Sequence, residues 1–223
     1  AARTGRRGSD PRPSRWTPRA RSRVLTDAEI AALWRGTERL GYPFGPMFQL
    51  LLLTGQRRNE IAAMQWADLA EGALTIPAGR AKNGREHVVP LSAAALDLLN
   101  GLPRLSEVYV FSTNASAPAS GFSRAKGRLD AAMAEHLGDA PDPWTLHDLR
   151  RTAASGMARA GARLEVVERV LNHVSGSFAG VAGVYQRHSY ADEMRAALDS
   201  WAGLVERIVS GEGAKVVALR ASQ

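Results

Sequence analysis

Apolar positions along the chain alternate between helical and strand periods, and they predict a mainly helical body with one small sheet. From Val24 the pattern is helical: Thr26 with Glu29 forms a capping box ahead of an apolar-periodic stretch that ends near Leu40. Residues 46–53 (PMFQLLLL) are apolar almost without interruption, as in a buried helix, and Thr54-Gly55 closes it. A short helix is expected over 58–65. Period-2 stretches at 73–77 (ALTIP) and 86–91 (EHVVPL) read as two strands, and Asn83-Gly84 between them is a hairpin turn signal. Helices are then expected over roughly 92–100, 121–137, 146–160, 163–171 and 190–209, with a second capping box at Thr145 and Asp148. No internal repeat is visible. The expected fold class is mainly α with a small antiparallel β-sheet (α+β).

Two segments fall outside this periodic body. Residues 1–23 mix Arg, Pro, Gly and Ser with almost no aliphatic side chains and read as an extended linker or arm. Residues 211–223 form a tail in which the apolar run VVAL follows a glycine-rich hinge. The expected organisation is therefore an arm over 1–23, a folded body over 24–210 and a tail over 211–223.

Charge sharpens this division. The net charge of the 223 residues is +7. The arm holds eight arginines and one aspartate, whereas the remainder holds 21 basic and 21 acidic side chains, so the whole excess lies in the arm. A basic arm suits a polyanion such as DNA, with Arg15, Arg19 and Arg21 as candidate phosphate contacts, though a solvated linker has the same composition. Cysteine is absent, which excludes disulfides and thiolate metal sites. No apolar run is long enough to cross a bilayer and no signal-peptide pattern opens the chain, so a cytoplasmic, nucleoid-associated location and no membrane partner are expected.

Four stretches carry candidate chemistry. In LLLTGQRRNE, Arg57 follows a buried helix and a glycine turn, and Glu60 lies on the same face of the next turn; an arginine held beside a carboxylate is oriented for phosphate before it binds. In GRAKNGREHVVPL, Lys82 sits at or beside the hairpin tip, where it can reach into a groove and donate a proton. In WTLHDLRRT, His147 and Arg150 share one face at the start of a helix, a place suited to an anion. In VLNHVSGSFAGVAGVYQRHSY, His173 follows an apolar helix and Tyr185 comes twelve residues later, after a run of small residues. Taken singly, each stretch also fits a structural role: a salt bridge, a solvated turn lysine, a helix cap, a packed tyrosine.

Their order is more specific than any one of them. TGQRRNE, AKNGREHVVPL, HDLR, LNH and YQRHSYADEMRAALDSW occur in succession between about Val24 and Ser210, and with them the chain resembles the tyrosine recombinase (phage integrase) family, especially integrases of phages, satellite phages and genomic islands. The resemblance implies that Arg57 and Arg150 clamp the scissile phosphate, Lys82 protonates the leaving oxygen, His147 is the general acid/base, His173 hydrogen-bonds the phosphate, Glu60 supports Arg57 and Tyr185 is the nucleophile. Arg58, Arg151 and Tyr190 are the neighbours that a small slip in alignment would substitute.

It further implies cleavage and rejoining of double-stranded DNA at attachment sites through a 3′-phosphotyrosyl link, to integrate or excise a mobile element. No metal and no other cofactor are required. The expected assembly is a homotetramer on DNA and a monomer in isolation, with a directionality factor as a possible partner and the tail docking on a neighbouring protomer or on its own body. Relatives usually carry separate N-terminal DNA-binding domains. None is visible here, so weak site recognition by this chain alone is expected. Three other readings stand beside this one: an inactive DNA-binding relative, a type IB topoisomerase-like enzyme and a metal phosphohydrolase using His147 and Asp148. For the last, His87, His136, His173 and His188 show no ligand spacing.

Overall fold

The computed structural model describes residues 22–173 and 190–212. Tyr185, the arm arginines Arg15, Arg19 and Arg21, and the VVAL run of the tail lie outside them. Eight α-helices are found among the described residues: α1 (Asp27–Leu40), α2 (Phe44–Thr54), α3 (Arg58–Ala62), α4 (Ala93–Asn100), α5 (Phe122–Leu137), α6 (Leu146–Arg159), α7 (Leu164–Val170) and α8 (Ala191–Ser210). A three-stranded antiparallel sheet, ordered β1 (Leu69–Ala70), β2 (Ala73–Ile76), β3 (His87–Pro90), completes the fold.

Local chemistry explains the helix starts. The Thr26 hydroxyl accepts the Glu29 N–H at 3.3 Å while the Glu29 carboxylate accepts the Thr26 N–H at 2.8 Å. Asp148 repeats the second half of this arrangement by accepting both the N–H (2.7 Å) and the hydroxyl (2.9 Å) of Thr145. Each box satisfies donors that a helix start would otherwise leave unpaired.

Helix α2 is the centre of the core, with Leu50 to Leu53 all buried. It packs between α1, α6 and α8. The Trp201 indole of α8 donates to the Leu52 carbonyl at 2.8 Å, and its ring lies so close to Gly156 of α6 that a Cβ there would come within 2.1 Å of it. Gly156 is therefore what allows α6 and α8 to approach. At the end of α2, Gly55 takes the left-handed conformation (φ 65°) and donates to Leu51 O at 3.0 Å, which turns the chain sharply toward α3.

The sheet differs from the sequence expectation in two ways. A two-residue edge strand, β1, pairs Leu69 with Leu74 across the Glu71-Gly72 turn; two residues are too few to leave a periodic trace. The β2–β3 ladder ends at the Ile76–His87 pair. Its connection spans residues 77–86 and is not a tight hairpin. Pro77 follows the last pair and has no N–H to extend the ladder. Asn83-Gly84 still makes a turn, with Gly84 at φ 68° donating to Ala81 O at 3.0 Å, but it lies inside this longer loop.

Candidate active site

Gly55, the turn after α2, sets the first half of the site. Gln56 is buried beyond it, its side-chain amide donating to Thr54 O (3.0 Å) and Val170 O (2.9 Å). Arg57 follows in extended conformation as the N-cap of α3. Glu60, one turn on, accepts the Arg57 N–H (3.0 Å) with one oxygen and its guanidinium (3.0 Å) with the other. The Glu60 side chain is 4% exposed and that of Arg57 21%, so a buried carboxylate holds a guanidinium that still reaches solvent. The same carboxylate also accepts the Lys82 backbone N–H at 3.4 Å.

Helix α6 supplies the second half. Arg150 is buried and donates to Gly55 O at 2.8 Å and to Leu171 O, so one side chain ties the α2 turn to the end of α7. Burial and the neighbouring Arg57 charge bring it down to about 10, and it remains cationic at neutral pH. A guanidinium has five N–H donors, so two bonds to carbonyls leave others for an anion. Burial, then the charges of Arg151 and Arg150, hold the His147 imidazole below its ordinary value, which keeps it neutral at pH 7.

Arg57, Glu60, Lys82, His147 and Arg150 come together on one cleft of about 690 Å³, with Gln56, Phe122, Lys126 and Trp144 also in its walls. The flanking arginines are used differently. Arg151 pairs with Asp148 at 2.5 Å. Burial alone would push the Asp148 carboxyl up, but the bonds from Thr145 and Arg151 outweigh it and hold it low. Arg58 also borders the cleft, with its guanidinium 4.9 Å from the Phe122 ring centre. His173 is not among the lining residues. It is exposed beyond α7, and its Nδ1 lies 3.1 Å from a Glu168 carboxylate oxygen. Tyr190 is buried at the start of α8 with the Arg169 guanidinium 3.9 Å from its ring centre. Among the described residues, no group of three or more His, Cys, Asp or Glu is placed to hold a metal ion.

Residues 23–191 match the phage integrase family. The chain belongs to this family of tyrosine recombinases, whose members are typically DNA breaking–rejoining enzymes. It is 28% identical over 195 residues to the prophage integrase IntZ of Escherichia coli K12, covering 83% of this chain and 46% of that protein. The chain spans under half the length of the curated relatives it matches. Its fold is similar to that of a chain in a lambda integrase(75-356) dimer bound to a COC′ core site (TM-score 0.56, 21% identity, 71% of this chain and 60% of that one). A lambda integrase tetramer bound to a Holliday junction matches similarly (TM-score 0.55, 21% identity, 69% and 47%).

In this family member several contacts near the cleft were not expected from the sequence. His87, at the start of β3, is buried, and its Nε2 lies 3.0 Å from Val170 O. Burial lowers its pKa. Asn83 and Asn172 bond to each other, joining the Lys82 loop to the segment just after α7. The Lys126 ammonium sits 3.9 Å from the Trp144 ring centre and pairs with Asp130 at 2.6 Å. The one signal in the sequence for any of these is that His87 lies on the strand expected over 86–91, five residues from Lys82.

Proposed function

We propose that this chain is the strand-cutting body of a site-specific DNA recombinase that integrates or excises a mobile element through a 3′-phosphotyrosyl intermediate. The observation that carries the reading is the convergence of Arg57, Glu60, Lys82, His147 and Arg150 on one cleft. Two guanidiniums, one neutral imidazole and one lysine are the groups that phosphoryl transfer to and from a tyrosine requires.

A phenol with pKa near 10 is ionised in only about one molecule per thousand at pH 7, and reaching the phenolate costs roughly 4 kcal/mol. In the proposed step the Tyr185 oxygen attacks the scissile phosphorus while its proton passes to neutral His147. The P–O5′ bond breaks, and Lys82 gives its proton to the departing 5′-oxygen. Arg57 and Arg150 neutralise the charge that builds on the non-bridging oxygens; because carbonyls and Glu60 already hold them, little reorganisation is needed at that moment. One phosphoester replaces another, so the reverse attack by a 5′-hydroxyl rejoins the strand with no energy source. His173 is assigned to the phosphate as well.

The proposed partner is double-stranded DNA at attachment sites, with four copies acting on two duplexes and a monomer in isolation. The proposed organisation keeps residues 1–23 as a basic arm, with Arg15, Arg19 and Arg21 on phosphates, residues 24–210 as the catalytic body and 211–223 as a tail docking on a neighbouring protomer. A directionality factor and a nucleoid-associated location belong to the same reading.

Covalent capture tests it. The chain is mixed at high concentration with nicked duplexes that trap a cleaved strand, denatured in detergent, and the DNA-linked peptide is mapped. The expected link is at Tyr185, absent in Tyr185→Phe and indifferent to chelator. A link at Tyr190 would move the nucleophile. No link from the full-length protein on its own attachment site would favour an inactive DNA-binding relative.

A further inference from the structure

The loop that carries Lys82 is anchored firmly at its ends and sparsely at its tip. At one end the Arg80 guanidinium donates to Ala63 O at 2.6 Å and pairs with Asp68. At the other, His87 reaches Val170 O. Between them Lys82, Gly84, Arg85 and Glu86 are exposed. The hydrogen bonds from the tip to the rest of the fold, among the described residues, are the 3.4 Å bond from the Lys82 N–H to Glu60, a 3.4 Å bond from Asn83 Nδ2 to the Asn172 carbonyl, and the side-chain amide pair of Asn83 and Asn172. That pair is reciprocal. Asn83 Nδ2 donates to Asn172 Oδ1 at 2.7 Å, and Asn172 Nδ2 returns a longer bond to Asn83 Oδ1 at 3.4 Å.

Asn172 occupies the left-handed region, with φ 50°. Glycine adopts this conformation without cost, and asparagine is one of the few other residues that tolerate it. What asparagine adds at this position is a side chain, and that side chain goes to Asn83. Residue 172 lies between Leu171, whose carbonyl receives Arg150, and His173. The pair therefore links three things: the lysine loop, the carbonyl that fixes the buried arginine, and the segment that runs on toward Tyr185.

We propose that the Asn83–Asn172 pair is a clasp that positions Lys82 over the cleft for proton donation, with both asparagines acting as positioning residues. The inference rests on the recombinase reading above. Lys82 is bonded covalently to Asn83, so fixing the Asn83 side chain restricts where the lysine can reach. The effect of the clasp falls on protonation of the leaving oxygen and not on the phosphate grip, which Gly55, Leu171 and Glu60 hold by other bonds.

Asn172→Gly isolates the side-chain pair of the clasp, because it keeps the backbone conformation and the 3.4 Å bond from Asn83 Nδ2 to the residue-172 carbonyl and deletes only the side chain. Single-turnover cleavage is measured on an ordinary duplex and on one in which sulfur replaces the bridging 5′-oxygen at the scissile phosphate. A thiolate leaves without being protonated; an alkoxide does not. Asn172→Gly is expected to slow cleavage of the ordinary duplex about five- to tenfold, the scale of one or two hydrogen bonds, and the sulfur duplex by less than about twofold. Asn83→Ala is expected to slow cleavage of the ordinary duplex at least as much, since it also loses the bonds to the Asn172 carbonyl and from the Arg85 N–H, and the double variant is expected to be no slower than Asn83→Ala, because no amide pair is left for Asn172→Gly to remove. Melting temperature should not fall in Asn172→Gly. Equal slowing on both duplexes, or effects that multiply in the double variant, would overturn the clasp. An unmodified full-length protein that cleaves neither duplex at its attachment site would overturn the recombinase reading, and the clasp with it.

Discussion

The two arginines and the lysine share a cleft but are held in opposite ways. Arg150 is 4% exposed and bonded to two backbone carbonyls from separate elements, and Arg57 is locked by both oxygens of a buried carboxylate. Lys82 is exposed on a ten-residue connection whose tip is held by two long bonds, to Glu60 and to the Asn172 carbonyl, and one amide pair. The phosphate grip is thus part of the core, whereas the proton donor is tethered to it. A rigid grip spares reorganisation when charge develops. A donor that acts after the substrate arrives tolerates, and can use, a looser mounting.

This contrast predicts different penalties for removing each part. The largest belongs to Arg150→Ala. Cleavage should fall about a thousandfold or more, as when a transition-state arginine is lost. Stability should fall together with it, by about 1–3 kcal/mol in urea unfolding, because the Gly55 and Leu171 carbonyls lose their donor in a buried place. Lys82→Ala should come next, with cleavage reduced about a hundredfold or more and stability changed by less than about 0.5 kcal/mol, as for an exposed side chain. Equal destabilisation by the two variants would break the comparison.

The smallest effect sharpens it through pH. Burial lowers the His87 pKa, so the unfolded chain takes up a proton at this residue before the folded one does. Its contribution to stability is complete above the unfolded value near 6.5 and is lost as pH falls from there toward the folded value. Unfolding free energy should therefore decline on acidification below about pH 6.5, and His87→Gln should flatten that decline. An unchanged decline would mean that other groups set it.

Much of this was legible because it is written in neighbouring residues. The helix boundaries near Thr26, Gly55 and Thr145 follow from caps and turns three or four positions apart, and Arg57 with Glu60 is a contact within one turn. Helical spacing alone left Arg150 and Arg151 both beside His147, and the resemblance of HDLR to the family motif selected Arg150; the two side chains do separate, one into the cleft and one onto Asp148. What the sequence did not disclose joins distant positions. Arg150 meets Gly55 across 95 residues and Asn83 meets Asn172 across 89, and such pairs leave no periodic trace. The length of the Lys82 loop was hidden for a different reason: Asn83-Gly84 looks the same at the tip of a hairpin and inside a longer connection. The roles of His173 and Tyr185 at the phosphate remain proposals, the first because His173 stands outside the cleft lining and the second because Tyr185 lies outside the described residues.

The most direct test of a core-mounted grip and a tethered acid is to compare Lys82→Ala and Arg150→Ala on the oxygen-bridged and sulfur-bridged duplexes, scored by the rate of covalent complex formation. The account predicts that sulfur restores most of the rate to Lys82→Ala and almost none to Arg150→Ala. Rescue of both variants alike, or of neither, would contradict it.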